Sequence, residues 1–70
     1  IEAAIEAYRR ALELGAPPAL SELCYEQLVR CHLMRGDRVR AEQVAADHRR
    51  AHPSGARVET IEALLRAPSP

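Results

Sequence analysis

Lysine, tryptophan and phenylalanine are absent from this 70-residue chain, and Tyr8 and Tyr25 are its only aromatic side chains besides three histidines. Without large rings a core must be assembled from Leu, Ile, Val and Ala. A chain this short holds one domain at most, near the size at which a single core is marginally stable. β-Branched residues are scarce, whereas Ala, Leu, Glu and Arg dominate. That balance disfavours a sheet and favours helices. No apolar run approaches the roughly 18 residues of a membrane span, and no signal-peptide pattern is present. Glycine-rich phosphate loops, HExxH and paired inward carboxylates are missing as well. We therefore expect no enzyme activity, no cofactor and no bound metal.

What is present is charge in balance. Ten acidic residues offset ten basic ones, all of them arginine, so the whole-chain charge points to neither nucleic acid nor membrane. Cys24 and Cys31 lie two turns apart on one predicted helix, a separation of roughly 10 Å that forbids a mutual disulfide. They read as reduced core thiols, which suits a cytoplasmic location. The chain begins at Ile1, already within a helical pattern. The expectation is an excised portion of a longer protein.

The periodicity predicts an all-α domain over 1–66, with helices at about 1–14, 19–35, 38–51 and 57–66, and a frayed tail over 67–70. In the first, Ile1, Ala4, Ile5, Tyr8, Ala11 and Leu12 recur at helical spacing, Glu6 and Arg10 can pair one turn apart, and Gly15, Pro17 and Pro18 end the run. The second is apolar on more than one face, from Leu20 to Met34, as expected of a helix sandwiched between others. Gly36 ends it and Asp37 is a natural N-cap for the third. The third has a narrow face of Ala41, Val44, Ala45 and His48, stopped by Pro53. The fourth places Val58, Ile61, Leu64 and Leu65 on one side.

Self-similarity reorganises these elements. With AIEAYRRALELGAP laid over AEQVAADHRRAHP, Ala4 meets Ala41, Tyr8 meets Ala45 and Ala11 meets His48. The offset slightly exceeds the about 34 residues of a tetratricopeptide repeat. AIEAYRRALEL resembles the second helix of such a repeat. Between the two segments, Tyr25 takes the leading aromatic position of a first helix, Leu28 its leucine, and Gly36-Asp37 the turn. Val29, His32 and His48 depart from the usual residue types.

More narrowly, ELCYEQLVRCHLMRGDRVRAEQVAADHRR followed by VETIEALLR is similar to the bacterial transcriptional activator domain. That module stands beside winged helix-turn-helix domains. The resemblance implies antiparallel helix hairpins forming part of a right-handed α-solenoid. The residues that would pack the repeats are Ala4, Tyr8, Ala11, Tyr25, Leu28, Gly36, Ala41, Ala45, His48 and Pro53.

Two constellations compete with a purely structural reading. His48 and His52, one turn apart, could approach Cys24, Cys31 or His32 as metal ligands. The cysteines cannot both reach one ion, however, and His48 is better explained as a core position. Cys31 and His32 face about 100° apart on a helix, too divergent for a catalytic pair. The carboxylates read as solvated helix faces. The second is charge segregation: seven Arg and three His lie between Gln27 and Arg57, against Asp37, Glu42 and Asp47. Arg35, Arg38, Arg40, Arg49 and Arg50 are the candidate contacts for an acidic partner. An ordinary charged rim is the plainer account, since adjacent acids neutralise it and no aromatic interleaves it.

The functional expectation is a protein-interaction and regulatory module within a bacterial transcriptional regulator. The alternative is a tetratricopeptide-type scaffold or adaptor for complex assembly or secretion. The protein partner is not readable from the sequence, and any DNA contact is expected through a domain outside this stretch. The thin alanine face also predicts weak homo-oligomers.

Overall fold

The computed structural model of the chain describes residues 1–67, which form four helices and no strand. They are α1 (Glu2–Glu13), α2 (Pro18–Met34), α3 (Arg38–Ala51) and α4 (Val58–Arg66). Of the expected tail, Ala67 is extended after α4, and residues 68–70 lie outside the described residues. No helix among the described residues is long and apolar enough to cross a membrane.

Two glycines end the first two helices in the same way. Gly15 (φ 80°) and Gly36 (φ 75°) occupy the left-handed region that a Cβ makes costly. Behind Gly15, Ala16 N–H donates to the Ala11 carbonyl at 3.2 Å and Gly15 N–H to Leu12 at 3.1 Å. Behind Gly36, Asp37 N–H reaches His32 at 2.8 Å and Gly36 N–H reaches Leu33 at 3.0 Å. Both sets satisfy carbonyls that a helix end leaves without partners. Asp37 then accepts from the Arg40 backbone N–H at 3.1 Å, capping α3. α2 starts at Pro18 itself, because a proline's fixed φ suits the first helical position and its missing N–H costs nothing there.

These turns run α1, α2 and α3 back and forth, with α2 between the other two. Ile5, Leu28 and Cys31 form one buried cluster, joined by Ala4, Tyr8, Leu12 and Val44. A different side of α2 supplies Val29 to a second cluster with Ala41 and Ile61, extended by Tyr25, Leu33, Ala45, Leu64 and Leu65. Ala41 is fully covered, and its small side chain is what lets α3 approach α2 closely. Ala11 is half-buried and Pro53 exposed. The result is a thin slab, 33 × 28 × 14 Å.

Three expectations need correction. The broad apolar surface of α2 is not covered throughout: Leu20 and Met34 stay exposed, each beyond the reach of the flanking helices. Glu6 pairs with Arg9, at 3.8 Å, rather than with Arg10. On a helix surface the two spacings are nearly equivalent and worth only a few tenths of a kcal/mol. Glu22 and Glu26 do not lie on a solvated face; both are drawn into the protein by α3 and the loop after it.

Candidate functional site

Because α1 and α3 flank α2, a groove of about 690 Å³ runs along the slab between them. Its floor is apolar, with Ile5, Leu12, Leu28 and Val44 together with Tyr25. Its walls are charged. α1 contributes Glu2, Glu6, Arg9 and Glu13, α3 contributes Arg40, Gln43 and Asp47, and Arg35 projects from the C-cap of α2.

The pairs along these walls are loose and wet. Arg35 reaches Glu2 at 3.4 Å, Arg9 reaches Glu6 at 3.8 Å and Arg40 reaches Asp37 at 3.2 Å. Such exposed pairs contribute about 0–1 kcal/mol each. Between them sits His32, only 6 % exposed yet lining the groove. Its Nδ1 is covered and has no hydrogen-bond partner among the described residues. Burial holds its pKa below the ordinary histidine value. Asp37 opposes that shift, while Arg40, Arg35 and Arg9 reinforce it.

A second polar cluster, on the other half of α2, is built differently. His48, 1 % exposed, shares a 3.0 Å hydrogen bond with Glu22 through Nε2. The same carboxylate oxygen accepts from the Arg57 backbone N–H at 3.2 Å. Gly55 comes so near that a Cβ there would stand 2.1 Å from Glu22 Oε1 and would displace the carboxylate from this position. Buried Glu26 accepts from Arg57 Nη1 at 2.6 Å and Arg30 Nε at 3.2 Å. Ser21 Oγ and His52 Nε2 are 2.9 Å apart, and the Tyr25, His48 and His52 rings pack edge-on or tilted against one another.

The His48 hydrogen bond is the main reason the Glu22 pKa lies below the ordinary carboxylate value; burial works against it and the Arg57 N–H assists. For Glu26, burial alone would raise the pKa, but bonds from Arg57 and Arg30 outweigh it and the net shift is downward. Burial pushes the Cys24 thiol up, and both cysteines are free. The two candidate ligands His48 and His52 are thus occupied with Glu22 and Ser21.

The five arginines singled out from sequence separate into two groups. Arg35 and Arg40 meet at the groove. Arg38 donates to the Leu65 carbonyl through Nη1 at 2.9 Å and Nη2 at 2.5 Å, satisfying the end of α4. Arg49 pairs with Glu62 and Arg50 with Asp47. Sequence reasoning missed Arg9 and His32 as groove residues. Their signal was present in the helical spacing, since Glu2, Ile5, Glu6, Arg9 and Leu12 share one face of α1. No protein-family model matches the chain, and no curated protein or solved structure matches it either.

Proposed function

We propose that this chain is a protein-interaction and regulatory module of the helical-repeat type, acting within a bacterial transcriptional regulator. The observation that carries the interaction reading is the groove: three helices leave an open, apolar-floored channel with charged walls instead of closing on one another. A segment of a partner fits such a channel by placing apolar side chains against Leu12, Tyr25 and Val44, the floor residues left partly exposed, and polar ones on the walls. The repeat resemblance is supported by the antiparallel order of α1, α2 and α3, the Gly36-Asp37 turn and the covered Ala41. In this reading the partner is a protein, and DNA is contacted by another domain of the regulator.

Selection from a display library of random peptides tests the interaction. The selected peptides should shift amide resonances along the facing sides of α1, α2 and α3. Gln43→Trp, which places a ring in the channel from an exposed wall position, should abolish their binding. Selected peptides that bind equally well to the Gln43→Trp variant would overturn the groove as the site. For the regulatory role, deletion of this module from the protein that carries it should abolish regulated transcription while leaving DNA binding intact.

A further inference from the structure

We propose that the part of the groove around His32 is a phosphoryl-binding subsite that receives a phosphorylated serine or threonine of the partner peptide. The inference rests on the interaction reading above and names the partner's chemistry. Three guanidinium groups, from α1 (Arg9), the C-cap of α2 (Arg35) and α3 (Arg40), line the same channel as His32, and all three act electrostatically on its ring. Arg40 stays with Asp37, the cap of α3, whereas Arg35 and Arg9 are held by Glu2 and Glu6, whose side chains are 83 % and 78 % exposed. Those two carboxylates can swing into solvent at little cost.

The ligand class follows from that arrangement. A ligand carboxylate would only exchange one singly charged partner for another. A phosphomonoester carries nearly two charges and three acceptor oxygens, so it can engage several guanidinium groups at once. His32 adds a donor of the right kind. With Nδ1 covered and unpartnered, the ring is least strained when Nδ1 is a bare acceptor, because a buried N–H without a partner is the rarer and costlier orphan. The proton then sits on Nε2, which can donate. Away from His32 the partly exposed floor of Leu12, Tyr25 and Val44 calls for apolar side chains. A peptide supplies those; free phosphate does not.

The test uses three fluorescein-labelled peptides of one sequence, Ala-Leu-Leu-Ala-X-Ala, with X phosphoserine, serine or glutamate. Fluorescence anisotropy should show the phosphoserine peptide binding at least tenfold more tightly than the serine peptide, with the glutamate peptide close to serine. Arg35→Gln and Arg40→Gln should each weaken phosphopeptide binding about fivefold and narrow the preference for phosphoserine over serine; both sites are exposed, so the variants fold. Equal binding of the phosphoserine and serine peptides would remove this inference and leave the interaction module standing. Inorganic phosphate displacing the phosphopeptide at equal concentration would reduce the site to a general anion hole and also overturn it. Failure of all three peptides at millimolar concentration overturns it too. The peptide selection described above then judges the interaction reading on its own.

Discussion

The two halves of α2 carry polar clusters of similar composition and opposite condition. Toward its N-terminus, half-buried Glu22 and buried Glu26 are bonded to His48, Arg57 and Arg30. Toward its C-terminus, Arg35 and its companions keep long, exposed contacts around a buried histidine with an unpartnered nitrogen. A polar cluster with every group satisfied is a structural fastener, since removing one member strands the others. A cluster that is loose at its rim and unsatisfied at its centre gains little for the fold. The comparison teaches that charge density alone does not mark a binding surface. Satisfaction does.

The most severe way to break the comparison is at the fastener. His48→Ala should cost about 3 kcal/mol, because it opens a cavity and leaves the Glu22 carboxylate without its main partner. Urea denaturation followed by far-UV circular dichroism measures it. A loss below about 1 kcal/mol would show that the cluster is not holding α3 to α2.

Acid attacks the same cluster. Glu22 and Glu26 both have folded pKa values below the ordinary 4.5. Their contribution is therefore complete above that value and disappears as the pH falls through the lowered pKa values. Thermal melts from pH 6 to pH 3 should show the midpoint falling mainly below about pH 4.5, and Glu26→Gln should flatten that dependence.

At the other end the expected sign reverses. His32→Leu removes a buried nitrogen that has no partner and should stabilise the fold by about 1 kcal/mol, read from the urea midpoint. Destabilisation would mean that the ring is satisfied after all. The smallest effect belongs to Arg35→Gln, within about 0.5 kcal/mol of the parent, since its ion pair is exposed. These four measurements separate a fastener from an open site without any ligand.

The local grammar of the fold was legible in the sequence. Gly15, Gly36 and Asp37 act where each residue's own backbone chemistry puts it, and such signals need no tertiary information; Pro18, read as part of the stop after the first helix, instead opens α2. His48 was readable as a core position, but its partner was not. Glu22 and Glu26 sit at ordinary helix-surface spacing, and only the return of the loop, with Gly55 and Arg57, encloses them. The groove was half legible. Arg35 and Arg40 are close in sequence and stood out as a cluster, whereas Arg9 joins them only through the docking of α1 on α2. Leu20 and Met34 misled for the converse reason: an apolar residue is indistinguishable from a core residue until the flanking helices show where they stop.

Asp37 closes one helix with its backbone and opens the next with its side chain, and this has a kinetic consequence. The reversal between α2 and α3 is specified by residues adjacent in the chain, so closing that loop loses little chain entropy. Contacts of short sequence separation form early and fast. The α2–α3 hairpin is therefore cheap to close in chain entropy, because its reversal needs no residue from elsewhere in the chain.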